Sequence, residues 1–334
     1  MKGNNGGLDD EEILESVYTI LVLVVTPTVS ALGIVGNCFG VAVLFKQGLR
    51  KSSNIFLIVL AVADMIYLVS FNGERLILYH LIDLEAFRFL SDQTCSDFMV
   101  LFCIFFYFDY STATVSYTLP TLITIERLIA VFAPLSFHRI VTVRRTWIIV
   151  LLMCLTWFAF LIYPSFFLEL RVANGSINKS SAFIEHKFVT VSGPALEVLE
   201  HFLLYCAMTI SPIFTAFGCL IISLKLKFEN VKRKRMTTRE KSSNRTTLML
   251  LSVCVVYIVT CIIQSLHIYL PNEIVSTVFT DRSPSNLSKI LHQSANIASC
   301  INCSSNFVVY ICTNKQFRNV YVEIFCRFRK KRVW

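Results

Sequence analysis

Long apolar runs separated by short polar segments dominate the chain. Seven stretches contain almost no Lys, Arg, Asp or Glu: residues 17–45, 55–72, 98–125, 147–168, 201–224, 246–270 and 290–312. Each approaches the roughly 20 apolar residues that an α-helix needs to cross a bilayer. Only Asp64 and Asp109 bring a charge into these runs. A backbone without water must satisfy its hydrogen bonds internally, so such runs become helices. The pattern predicts an all-α membrane protein with a seven-transmembrane helix bundle over residues 17–312. Residues 1–16 read as an extracellular amino-terminal segment and residues 313–334 as a cytoplasmic tail. In that tail Phe317, Val320, Tyr321, Ile324, Phe325 and Phe328 recur every three or four positions. This spacing predicts a short amphipathic helix on the membrane surface after the last span.

Composition narrows the class. Of 334 residues, 55% are hydrophobic and 16% charged, which excludes a disordered chain, a soluble basic domain and a small disulfide scaffold. The net charge of +9 raises the question of a polyanionic partner, and its placement answers it. Segments 46–54, 132–145, 225–245 and 313–334 carry 3, 3, 9 and 7 Lys and Arg, 22 together, against three acids. Basic residues gather on the cytoplasmic side of membrane proteins. The amino terminus is therefore expected outside and the carboxyl terminus inside, with the bases facing anionic lipid. No nucleic acid is needed. The acidic first 16 residues have the wrong charge for a cleavable signal, so the first span is expected to direct its own insertion. Asn174, Asn178 and Asn286 begin glycosylation sequons on the outer side. Most of the 12 cysteines lie in spans and read as small apolar packing residues.

Polar groups at membrane depth are costly, so each is a functional hypothesis. Asp64 in the second span, with Asn37, Ser116, Asn302 and Asn306, offers one carboxylate and several neutral oxygens. That set suits a small cation, sodium first. A hydrogen-bonded network that joins helices fits the spacing equally well. No phosphate loop, nucleophile–base pair or metal-ligand spacing is present, so the protein is not expected to be an enzyme.

Several short motifs, each on its expected span, resemble the rhodopsin-like (class A) G-protein-coupled receptors. They are Gly36-Asn37 in the first span, Leu60-Ala61-Val62-Ala63-Asp64 in the second, and Glu126-Arg127-Leu128 with Pro134 after the third. Trp157 in the fourth span, Pro212 in the fifth and Asn306-Phe307-Val308-Val309-Tyr310 in the seventh complete the set. The resemblance covers about residues 17–328. It implies a sodium pocket at Asn37, Asp64, Ser116, Asn302 and Asn306. It implies a coupling switch at Glu126, Arg127, Asn306 and Tyr310, with Arg127 held by Glu126 at rest and freed to engage a heterotrimeric G protein. Three positions and one motif depart from the family pattern. Leu128 replaces a tyrosine, Phe307 the kinking proline, and Leu220 an activation tyrosine. The sixth span, Val256 to Ile263, lacks the Cys-Trp-x-Pro motif.

The same resemblance places Asp109 in the ligand pocket, 18 residues before Arg127. There it would meet the cationic group of a ligand, or else partner a neighbouring helix. The residues from Asn302 to Arg318 are similar to neuropeptide receptors of the FMRFamide type and to molluscan chemosensory receptors. The expected ligand is therefore a neuropeptide, with a chemosensory ligand or an amine as alternatives. A transporter, a channel or a non-signalling receptor-like protein are the rivals from other classes. The family's usual outer disulfide is not assigned, because loop 169–200 contains no cysteine to pair with Cys95 or Cys103. Cys326 is a palmitoylation candidate. Residues 314–334 contain no Ser or Thr. Phosphorylation that recruits arrestin is thus expected in the third inner loop, at Thr237, Thr238, Ser242, Ser243, Thr246 or Thr247.

Overall fold

The computed structural model describes residues 6–82, 92–165, 168–175, 179–186, 202, 205–232, 251–264 and 286–326. The first span runs through Gly6–Ile20, a π turn at Leu21–Val25, and Thr26–Gln47. The second helix is Ser52–Ile82 and the third Asp92–Phe132, followed by one short turn at Phe137–Ile140. The fourth is Val143–Ser165. The fifth is a π turn at Cys206–Ile210 continued by Ser211–Lys232. The sixth is described over Leu251–Gln264 and the seventh over Asn286–Thr313. Six of these are long and apolar enough to cross a membrane, and Leu251–Gln264 is a shorter apolar helix. The all-α bundle of seven apolar helices expected from the hydropathy is thus present. The first helix begins at Gly6, inside the segment read as a polar extension.

The π turns of the first and fifth spans follow one local rule. Each is followed by a hydroxyl residue and then a proline, Thr26-Pro27 and Ser211-Pro212. Proline has no N–H to donate, and its ring crowds the preceding turn, so the helix widens there. In the first span the Thr26 hydroxyl donates to the Leu21 carbonyl at 2.7 Å. Gly48, at φ 91°, ends the first span in a conformation that side chains resist.

One element was not expected. Strands β1 (Leu168–Gly175) and β2 (Lys179–His186) pair antiparallel between the fourth and fifth spans, from Leu168 opposite His186 to Gly175 opposite Lys179. The signal was present, since Leu168, Leu170 and Val172 alternate with Glu169 and Arg171. An eight-residue alternation is far shorter than a membrane span. Asn174 lies on β1, while Asn178 lies outside the described residues.

The second and third helices form the heart of the bundle. Leu57, Leu60 and Leu68 of the second and Leu119 and Ile123 of the third are almost wholly buried. The fourth and fifth helices turn large apolar side chains outward instead. Leu151, Leu155, Phe217 and Leu220 are each more than half exposed, a surface that only lipid would cover. Leu220 therefore faces away from the bundle. The first and seventh helices meet at Gly33, where an added Cβ would collide with Ser304 of the seventh. Ser304 uses that closeness to donate to the Val29 carbonyl at 3.1 Å. Gly33→Val is expected to cost about 2 kcal/mol by overpacking, measurable as a lower melting temperature of the purified receptor.

The tail helix is Lys315–Tyr321, capped by the Asn314 side chain and extended by a π turn at Val322–Cys326. Its apolar face was expected against lipid. Phe317 is instead buried in the bundle core, and Val320, Tyr321 and Ile324 pack against the same core. Phe307, at the position of the family proline, supplies the seat. Its ring lies 5.9 Å from Phe39, 6.1 Å from Phe317 and 5.6 Å from Tyr321. A proline could not provide this contact, and the seventh helix runs unbroken past the position.

Candidate functional site

Three polar centres lie along the bundle. In the middle, Asp64 is fully buried. Ser116 donates to its Oδ1 at 2.8 Å and Asn306 to its Oδ2 at 2.7 Å, tying the second helix to the third and seventh. Asn37 donates to the Cys303 carbonyl at 2.9 Å, which joins the first helix to the same region. Asn302 is half-buried and is not among the partners of Asp64 in the described residues. Cys303 faces the carboxylate in its place. Residues three and four before Asn306 share one helical face, and only the rotation of the seventh helix selects between them. The donors present still suit a small cation, because a carboxylate, a hydroxyl and side-chain amides are hard oxygen sources.

Beside it, a second network crosses the third, sixth and seventh helices. The Tyr117 hydroxyl donates to Gln264 Oε1 at 2.7 Å and lies 3.3 Å from Ser299 Oγ. Gln264 Nε2 in turn donates to Ser299 Oγ. Tyr257 donates to the Tyr117 carbonyl at 2.7 Å, and its ring packs 6.4 Å from that of Tyr117. None of these four residues was singled out from the sequence. A tyrosine or glutamine on an apolar helix carries no sign of its partner.

At one end of the bundle sits the Glu126–Arg127 pair. Both residues are buried, at 3% and 7% exposure, and Arg127 Nη2 lies 2.8 Å from Glu126 Oε1. Two serines from the start of the second helix close around the pair. Ser52 donates to Glu126 Oε1 at 2.5 Å and Ser53 at 3.2 Å, while Arg127 Nη2 donates to Ser53 Oγ at 2.6 Å. The Glu126 carboxylate thus lies at a helix amino terminus, where the backbone dipole favours negative charge. Glu126 Oε2 and Arg127 Nε are buried without partners among the described residues. Tyr310 is buried near this end with its hydroxyl also unpartnered there, its ring 5.5 Å from Phe317.

At the opposite end Asp109 lies beside Glu74 of the second helix, a neighbour the sequence did not reveal. Arg75 Nη2 lies 3.3 Å from His292 Nε2, and its guanidinium carbon sits 5.1 Å above the Phe71 ring. Asp109 Oδ1 and Arg75 Nε are buried and unpartnered among the described residues. The best-formed cavity in the described residues, about 340 Å³, lies elsewhere, between the third, fourth and fifth helices beside Trp157. Trp157 donates to Thr118 Oγ1 at 3.2 Å.

The remaining candidates are outlying. Asn286 is the first residue of the seventh helix, and Cys326 ends the tail helix. Thr237, Thr238, Ser242, Ser243, Thr246 and Thr247 lie outside the described residues. Cys103 is free, and no disulfide links the described residues.

A bundle of apolar helices with polar groups at its axis and apolar side chains on its outside is a multi-pass membrane protein. A family model described as the seven-transmembrane receptors of the rhodopsin family matches residues 36–310, and the chain belongs to that family. It is therefore a receptor and not an enzyme. A protein named trace amine-associated receptor 365, from Petromyzon marinus, is 28% identical over 148 residues. The match covers 43% of this chain and 36% of that relative, so the chain spans about a third of its length.

Proposed function

We propose that this protein is a plasma-membrane receptor that activates a heterotrimeric G protein, with its amino terminus outside and its carboxyl terminus inside. The observation that carries the reading is the buried Glu126–Arg127 pair, clasped by Ser52 and Ser53 at the basic end of the bundle. A buried ion pair at a helix end has two alternatives, paired or released, and a ligand that prefers one arrangement shifts the balance. The Asp109 end is the extracellular ligand site. A neuropeptide with a basic group is the first reading, because Asp109 presents a buried carboxylate oxygen without a partner among the described residues. An amine is the second, favoured by the partial likeness to an amine-associated receptor. A transporter or channel fits less well, since charged groups do not form a chain through the spans.

A sodium ion beside Asp64 completes the reading. Asp64, Ser116 and Asn306, with Asn37 nearby, would hold it and favour the resting packing. Asp64→Asn is expected to abolish any effect of sodium on agonist affinity, measured by agonist competition in sodium and in a large organic cation. An undiminished sodium effect in that variant would exclude the site. Arrestin would engage the third inner loop, Cys326 would carry a palmitoyl chain, and Asn174, Asn178 and Asn286 would accept glycans. Agonist-stimulated nucleotide exchange on a purified G protein tests the whole proposal.

A further inference from the structure

Building on the reading of the Asp109 end as the ligand site, we infer that this site recognises a zwitterionic group: an ammonium and a carboxylate held a few bonds apart, as in a free amino acid or a short peptide bearing both. The ammonium is taken by the Asp109–Glu74 pair and the carboxylate by Arg75.

The charges already present lead to this. Two carboxyls side by side at this depth cannot both carry charge, so Asp109 and Glu74 together present one negative charge. Arginine can only donate, so His292 Nε2 accepts from Arg75 and that ring is neutral. Arg75 therefore supplies the single positive charge of the group. The cluster balances itself. A bare amine would leave the site with excess positive charge beside Arg75, and a bare carboxylate with excess negative charge beside Asp109. Burying net charge is expensive at this depth. A ligand carrying one charge of each sign keeps the buried sum at zero. Two atoms are left for it to engage, since Asp109 Oδ1 lacks a donor and Arg75 Nε an acceptor among the described residues. The Phe71 ring fixes the guanidinium plane from below, and Tyr67 stacks on Phe71 at 5.7 Å. Arg75 is thereby set in one orientation before any ligand arrives, which lowers the entropy cost of binding.

The test uses cells expressing the full chain, with G-protein nucleotide exchange in their membranes as the readout. The probes are the common α- and ω-amino acids and their unblocked dipeptides, each beside its decarboxylated amine and its deaminated acid. At least one zwitterion is expected to activate, with its matched amine and acid weaker by tenfold or more. Arg75→Gln is expected to erase that preference, so that zwitterion and amine become equal. Asp109→Asn is expected to abolish the response to both. An amine as potent as its zwitterion, an unchanged preference in Arg75→Gln, or no active zwitterion would each overturn the inference. Surface labelling of each variant shows that it is folded and delivered. Basal exchange that depends on Arg127 separates the two levels. If it persists while the zwitterion panel fails, the receptor reading stands and this ligand class falls. If it is absent and no probe evokes exchange, the receptor reading itself falls.

Discussion

Replacing Arg127 with alanine is expected to abolish G-protein nucleotide exchange while leaving ligand binding intact. Asp109 and Arg127 lie on one helix, 18 residues apart, which at the α-helical rise is roughly 27 Å. The substitution therefore cannot reach the ligand site directly. Its local consequence is severe, because among the described residues Glu126 keeps the Ser52 and Ser53 hydroxyls alone as partners. Stripping one member from a buried pair costs about 3–5 kcal/mol. Arg127→Lys guards against confusing lost folding with lost coupling. It keeps the charge beside Glu126 but gives up the planar fork, so it is expected to express well and couple poorly. Radioligand binding and nucleotide exchange on the same membranes check both statements. Full exchange in Arg127→Ala would remove this residue from the mechanism.

Gln264→Leu is expected to raise basal exchange. The family's tryptophan and proline are missing from the sixth span, and Leu251–Gln264 contains no proline. What joins that helix to its neighbours here is polar. Gln264 bridges Tyr117 and Ser299, and Tyr257 holds the Tyr117 carbonyl. Leucine removes both bonds of the bridge with little change in volume. Each hydrogen bond contributes about 1 kcal/mol, so one or two of them shift a two-state balance by roughly 5- to 30-fold. Tyr257→Phe deletes one bond from the same network and is expected to act in the same direction with a smaller effect. Agonist-free nucleotide exchange at matched surface expression is the measurement. Unchanged basal exchange in both variants would show that this network does not hold the resting state.

The legible part of the site consisted of residues whose chemistry is improbable where it occurs. Asp64 stands out because a carboxylate in an apolar run has few innocent explanations. Glu126-Arg127 stands out by its position at the end of a span. Their partners were not legible. Ser52 and Ser53 are ordinary loop-side serines until the second helix docks its first turn against the third. Glu74 and Arg75 lie just past the second apolar run, and only the approach of Asp109 and His292 gives them a site to form. Asn302 and Cys303 are about 100° apart and flank the direction of Asn306, so a modest rotation of the seventh helix decides that Cys303 faces Asp64. The tail shows the limit most clearly. Its stripe of Phe317, Val320, Tyr321 and Ile324 was visible as amphipathic, but the same stripe serves a membrane surface or a protein groove.

The sequence by itself determined the seven spans and the receptor family. Its basic segments also support the orientation proposed here. These follow from sums over many residues: apolar length against bilayer thickness, and basic charge counted by side. Tertiary structure alone decided which polar groups meet: Asp64 with Ser116 and Asn306, Arg127 with Ser53, Gln264 with Ser299, and Asp109 with Glu74. Those pairings depend on the rotation and depth of each helix against its neighbours, set by contacts such as Gly33 against Ser304 and Phe307 against Phe39. Such contacts join residues hundreds of positions apart, and no periodicity within one helix encodes them.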